Sequence, residues 1–442
     1  MADDNRIETL PTKELFVHVL TRDIRLEDAV LDLVDNCIDG AKRLHPGEQD
    51  RYDGRWVKID LAANSFRISD NCGGISVDTA RHYAFRFGRD PKMKKTPNSI
   101  GQFGVGMKRA LLRFGSYFTV TSTTDTEYFK VAVDVDKWLE KPEWNFEFSE
   151  NRTPKQGEVA GTIIEVTRLT PDAAARFSVN EFETELRNQL EKNAQAYLSR
   201  GLTIEVNGTP VIGRPFKLLF DEAMTPAKQM KTYFPDSIAP VYAEFIAGVG
   251  ESAPMEAGWY IACNGRVVLS ADQSRTTGWD SIGADTAGVP KYHNQFSRFR
   301  GYASFQCIDA GNLPWNTMKT NVDPDAVIYQ DARREMLALM RPVIDFLNRL
   351  DKENDDPDDE RPLTALVDKA KPETYNAGSS YATVFRPTIP VRAPKPRTTS
   401  IQFRRPSSEV DELVEALSTG SARKAGEFAW DETYAKYVEG SE

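Results

Sequence analysis

Apolar residues Leu26, Val30, Leu33, Val34, Ile38 and Ala41 recur at spacings of three and four, which predicts an amphipathic helix over residues 26–43. Gly40 weakens its last turn. The segments WVKIDL (56–61) and SFRIS (65–69) alternate and predict two strands around an Ala63-Asn64 turn. A loop, DNCGGIS, covers residues 70–76, and residues 78–87 can be helical. Residues 88–106 form a loop rich in glycine and lysine, and a helix resumes over 108–114. Strand patterns follow at 117–122, 128–135 and 161–166. Helices and antiparallel strands in this order predict an α+β fold, a two-layer α/β sandwich, for residues 1–170.

A second pattern begins near residue 171. Residues 180–199 read as helix, and GLTIEVNGTPV (201–211) reads as a hairpin turning at Asn207-Gly208. GWYIACNGRVVL (258–269) repeats that design at Asn264-Gly265, and a long helix spans about 328–350. Residues 171–350 are therefore expected to form a second α+β domain. Beyond it, 351–362 is an acidic linker, and 376–408 is rich in Pro, Ser, Thr and Arg. A final stretch, 409–437, suits one or two short helices. The expected tail, 351–442, is largely irregular.

Composition narrows the function classes. The chain has 442 residues, of which 40% are hydrophobic, enough for two cores. No apolar run approaches the ~20 residues that span a bilayer, so no membrane role is expected. The N-terminus lacks a basic flank followed by an apolar stretch, which points to a cytoplasmic protein. Cys37, Cys72, Cys263 and Cys307 are far apart and show no zinc-binding spacing. A net charge of −10 argues against an electrostatic grip on nucleic acid by the whole protein. Residues 386–405 hold six basic residues and no acid, so a local grip stays open.

Four segments carry candidate chemistry. Asp32 and Asn36 lie four residues apart and share one helical face. An amide oxygen suits Mg²⁺, and a carboxylate one turn earlier can polarise a water. Asp70-Asn71-Cys72-Gly73-Gly74 follows a strand. A carboxylate there can accept from an exocyclic amine of adenine, while Gly74 lets backbone approach the base. Gly101-Gln102-Phe103-Gly104-Val105-Gly106-Met107-Lys108 runs into a helix, where closely spaced glycines and a helix N-terminus can cradle phosphates. It lacks the GK[ST] ending of a Walker A loop. Gly161-Thr162 opens an apolar strand, where a hydroxyl could reach an adenine edge through water.

All four segments in this order resemble the GHKL superfamily: gyrase B, the ninety-kilodalton heat-shock chaperone, histidine kinases and MutL. The resemblance covers roughly residues 12–170, and residues 85–111 look most like the microrchidia (MORC) ATPases and related prokaryotic proteins. It implies the Bergerat fold, with ATP and Mg²⁺ as ligands. Under it, Asn36 coordinates Mg²⁺, Asp70 holds the adenine amine and Thr162 supports Asp70. Gly101, Gln102, Phe103, Gly104, Val105 and Gly106 present backbone to the phosphates, with Lys108 beside them. Asp32 is the candidate base. Several members carry a transducer domain whose lysine reaches the ATP site, and Lys319 is the candidate γ-phosphate sensor here. Two residues depart from the pattern. Asp32 stands where the family has Glu, which implies slow hydrolysis, and Cys72 replaces the first glycine of the adenine motif.

The resemblance implies an ATP-dependent homodimer acting as a switch. Its output stays open among nucleic-acid remodelling, as in prokaryotic antiviral defence, a protein-remodelling chaperone, and a regulatory ATP-binding module with little turnover.

Overall fold

The computed structural model describes residues 9, 11–44, 51–90, 96–281, 288–357, 361–375, 381–388, 401 and 404–438. The loop expected at 88–106 is thus described except for 91–95, and most of the basic stretch 386–405 lies outside the described residues. The chain up to residue 389 forms one compact unit, and residues 390–442 form another. No helix among the described residues is long and apolar enough to cross a membrane.

The predicted α+β architecture is present. An eight-stranded sheet begins at one edge with Phe148–Arg152, then runs Tyr128–Asp134, Gly115–Thr123, Gly161–Leu169, Ser65–Asp70 and Trp56–Ala62. These neighbours are antiparallel. Val57, Ile59 and Leu61 alternate inward along their strand, as the period-two pattern requires. Helix Leu26–Leu44 buries its apolar stripe and packs on helix Gly106–Phe114. Phe66, Phe114, Phe177 and Phe182 form a chain of ring contacts that ties the sheet to the helices beyond residue 170.

The 201–211 hairpin does not belong with the second domain. Thr203–Val206 pairs in parallel with Trp56–Ala62, and Thr209–Pro210 completes the edge of the first sheet. Helix Asn180–Asn193 buries Phe182, Leu186 and Leu190 and packs on helix Leu26–Leu44 and strand Arg266–Asp272, so the part built on the first sheet continues past residue 170. The helix expected at 78–87 is a single turn, Val77–Thr79, continued by a π-turn over Ala80–Ala84.

The second sheet runs Ala227–Tyr233, Val241–Val249, Phe299–Gln306, Gly258–Cys263 and Arg266–Asp272. Helix Val327–Lys352 covers it with Met336, Leu339, Met340, Val343, Phe346 and Leu347. The expected irregular tail starts too early at 351. Helix Pro362–Lys369 buries Leu363, Leu366 and Val367, strand Lys371–Thr374 pairs with Lys217–Phe220, and Phe385 meets Phe346 at 5.6 Å. In the second compact unit, helices Ser407–Leu417 and Ala422–Tyr437 appear where short helices were expected.

A fragment ending at residue 170 loses Phe177, Phe182 and the Thr203–Val206 strand. It should lack cooperative urea unfolding, whereas a fragment ending at 213 should unfold in one transition. Circular dichroism during urea titration checks both.

Candidate functional site

Of the buried carboxylates on helix Leu26–Leu44, Asp32, Asp35 and Asp39 follow one another at spacings of three and four. Each has partners from outside the helix. Asp32 accepts from Arg109 Nη2 at 2.8 Å and from Lys319 Nζ at 3.1 Å. The same ammonium donates to Asp35 Oδ2 at 2.7 Å, and Arg266 Nε lies 3.3 Å from Asp35 Oδ1. Asp39 accepts from the backbone N–H groups of Ile100 and Gly101 at 2.8 and 2.7 Å. Asn36, between these acids in sequence, is exposed while its neighbours Asp35 and Cys37 are buried.

Charge states follow from these contacts. Burial works to raise the pKa of Asp32, but Lys319 and Arg109 outweigh it and hold the carboxyl below its ordinary value. Burial likewise opposes the charge on Lys319, and Asp35 and Asp32 outweigh it, so the ammonium is held above its ordinary range. Lys319 adopts φ 54°, the left-handed region, which a lysine enters only where its surroundings compel it.

The Asp70–Gly74 loop lies against the end of the same helix. Asp70 Oδ1 accepts from Cys72 N at 2.7 Å. Burial pushes the Asp70 carboxyl up, against hydrogen bonds from Cys72 N–H, the Cys37 thiol and Thr162 N–H. A Cβ on Gly40 would lie 2.7 Å from Cys72 O, so the residue that weakens the helix turn also lets the loop pack on it. Gly74 has φ 70°, and a Cβ there would sit 2.1 Å from Thr123 O. Thr162 Oγ1 is 3.2 Å from Ser122 Oγ, which accepts from Ile75 N at 2.7 Å. The adenine-type loop and the Gly161-Thr162 strand are thus joined through Ser122.

The glycine segment crosses the helix face that carries Asp32 and Asn36. A Cβ on Gly101 would be 3.6 Å from Asn36 Oδ1, and one on Gly106 would be 3.1 Å from Asp32 Cγ. Gln102 turns toward the second domain, where its Oε1 accepts from Trp315 Nε1 at 3.1 Å. Phe103 and Val105 are half-buried, and Gly104 is exposed with φ 67°. Lys108 is buried. Its Nζ donates to Ala84 O at 3.0 Å, and loss of hydration pulls its pKa down to about 7.

The residues therefore gather as two linked groups on one helix. Asp32, Asn36, Gly101, Gly106 and Lys319 surround its middle, and Asp70, Gly74 and Thr162 lie at its C-terminal end. Sequence reasoning missed Asp35, Asp39, Arg109 and Arg266. No local signal marked the acids: Asp28, Asp32, Asp35 and Asp39 share the side of the helix opposite its apolar stripe, where acids are ordinarily solvated.

Residues 24–165 match the family of histidine kinase-, DNA gyrase B- and HSP90-like ATPases. The match supports ATP binding by this GHKL-type segment, and proteins of that family normally bind ATP with Mg²⁺. Comparison with curated proteins gives no match. Lys319 and Arg266 come from outside the matched GHKL-type segment. The residues fit a magnesium-bound nucleotide on two grounds. The outward amide of Asn36 can supply one oxygen to Mg²⁺, which is otherwise held by phosphate oxygens and water. Gly101 and Gly106 bring backbone close to Asn36 and Asp32, where a Cβ would lie 3.6 Å from Asn36 Oδ1 and 3.1 Å from Asp32 Cγ.

Lys108 gives a pH signature. The unfolded chain takes up its proton near pH 10.4, whereas the folded chain waits until about 7. Between those values the unfolded state binds more protons, so stability rises with pH. Subtracting the Lys108→Met variant from the wild type should isolate a slope of about +1.4 kcal/mol per pH unit between pH 7.5 and 9.5 in urea titrations. Identical slopes in the two proteins would contradict the buried, neutral lysine.

Proposed function

We propose that this chain binds Mg-ATP on helix Leu26–Leu44 and uses it to control contact between its two α+β domains, with slow hydrolysis. The observation that carries this reading is the buried position of Lys319, a second-domain residue, between Asp32 and Asp35 of the GHKL-type domain. In this reading Asn36 holds Mg²⁺, Asp70 accepts from the adenine amine, and Thr162 steadies Asp70 through the adjoining strand. Backbone from Gly101 to Gly106 faces the phosphates, and Lys108 regains its charge beside them. Bound Mg²⁺ supplies charge neutralisation at the phosphates.

Asp32 is the base that orients and deprotonates the attacking water. Two cations on one carboxylate make it a poor base, because they stabilise its charged form. Lys319 can release it by turning from Asp32 toward the γ-phosphate, which offers a stronger anion. ADP lacks that group, so only ATP favours the exchanged state. A closed form of this kind is the one we expect to dimerise. The ion-paired Asp32, one methylene shorter than Glu, favours a regulatory ATP-binding module with little turnover as the second reading. The MORC-like loop sequence at 85–111 supports a nucleic-acid remodelling or defence role as the output.

Titration calorimetry tests the binding assignment. Asp70→Asn should lose a charge-assisted hydrogen bond worth roughly 1.5–3 kcal/mol, or about tenfold to 150-fold in ATP affinity. Asn36→Ala should remove the Mg²⁺ dependence of binding. Asp32→Asn should retain binding and lose about 10²–10⁴ in hydrolysis rate. Wild-type affinity in folded Asp70→Asn takes Asp70 out of the site, and wild-type turnover in Asp32→Asn moves the base elsewhere.

A further inference from the structure

Two Asn-Gly turns occur in this chain, and they are built differently. Asn207 is exposed, with φ 48°. Asn264 has a nearly equal φ of 49° but is only 7% exposed. The left-handed turn itself asks only for a residue that tolerates positive φ, and glycine would serve. The Asn264 side chain does more. Its Nδ2 donates to Ser99 O at 3.0 Å and to Cys307 O at 3.0 Å, while its Oδ1 accepts from Cys307 N at 2.9 Å. Its own carbonyl accepts from the Tyr197 hydroxyl. One buried amide thus joins the root of the glycine loop to the end of a second-domain strand.

Neighbouring contacts follow the same line. Asn98 N donates to Ile308 O at 3.2 Å, and Trp315 binds Gln102. On the opposite side, Lys42 Nζ donates to Asn98 O at 2.7 Å and Asp39 holds Ile100 and Gly101. The segment 98–102 is therefore strung between helix Leu26–Leu44 and the second-domain residues 264, 308 and 315. Arg266, two residues after Asn264 and 4% exposed, places its guanidinium beside Asp35, which also holds Lys319. The turn reaches both the loop root and the acids.

We propose that Asn264 is a positioning residue that couples movement of the 98–106 loop to docking of the second-domain segment 307–319, so that the two respond to nucleotide as one unit. The inference rests on the ATP-binding reading above. A loop root that shifts toward phosphate must either carry Cys307 with it or leave the Asn264 amide without its partners in a buried place, and the second course is the costlier. Arg266 keeps the turn seated on the helix while Lys319 changes partner.

The test is hydrogen–deuterium exchange on the full chain, titrated with a non-hydrolysable ATP analogue and Mg²⁺. In the wild type, protection of 98–106 and of 307–319 should rise with one common midpoint. Asn264→Gly suits the turn backbone and removes the amide. It should bind the analogue within about threefold of wild type and still protect 98–106, while 307–319 should need about fivefold more analogue or stay unprotected. Its turnover should fall in kcat with KM held. Asn264→Asp keeps the acceptor for Cys307 N but lacks the donor to Ser99 O and Cys307 O, and it should behave like the glycine variant. Segments that respond together in both folded variants, as in the wild type, would overturn the coupling. Failure of the wild type to bind the analogue is a separate result that overturns the nucleotide reading and the coupling with it.

Discussion

The ammonium of Lys319 lies buried between two aspartates of helix Leu26–Leu44, on a backbone held in the left-handed region. Placing one cation and two anions out of water is expensive, and mutual attraction compensates only when geometry is good and remaining charges are met. Here they are met by Arg109 on Asp32 and Arg266 on Asp35. The cluster therefore draws on the helix after the glycine loop, the second-domain hairpin and the loop around residue 319 together. Removing one member strands the others, a loss of about 3–5 kcal/mol for buried pairs generally. Helix Leu26–Leu44 is the common wall of these contacts, and its sequence must be read on both faces.

That double use explains what the sequence revealed and what it hid. Periodicity located the helix at 26–43 because the apolar stripe is regular, and the structure extends it by one residue. The strands at 56–61 and 65–69 were legible from their alternation. The hairpin at 201–211 was legible as a hairpin but not as part of the first sheet. Its pairing with Trp56–Ala62 is parallel and spans well over a hundred residues, and local pattern does not encode such a partner. The packing of 361–375 and 381–388 was hidden by acidic and proline-rich neighbours, although Leu363, Leu366 and Val367 keep helical spacing.

At the site, Asp32, Asn36, Asp70 and the glycine run stood out through residue type and order. Asp35 and Asp39 did not, because an acid on a helix is ordinarily solvated and nothing local names its partner. Arg109 and Arg266 lie in segments far apart in sequence from those acids, so only the folded chain pairs them. Asn264 was read as a turn residue, which it is. Its second task depends on the approach of Ser99 and Cys307, which no turn signal contains. The glycine loop was read as backbone for phosphates, yet Asp39 already holds the N–H groups of Ile100 and Gly101. That carboxylate is the loop root's hold on the helix, opposite its hold on Asn264.

In the proposed function, Lys319 distinguishes a γ-phosphate from the acids that hold it. The direct measurement is the ratio of affinities for a non-hydrolysable ATP analogue and for ADP, by titration calorimetry, in the wild type and in Lys319→Met. The wild type should prefer the analogue, and Lys319→Met should retain ADP affinity while losing most of that preference. An unchanged preference in the folded variant would contradict it.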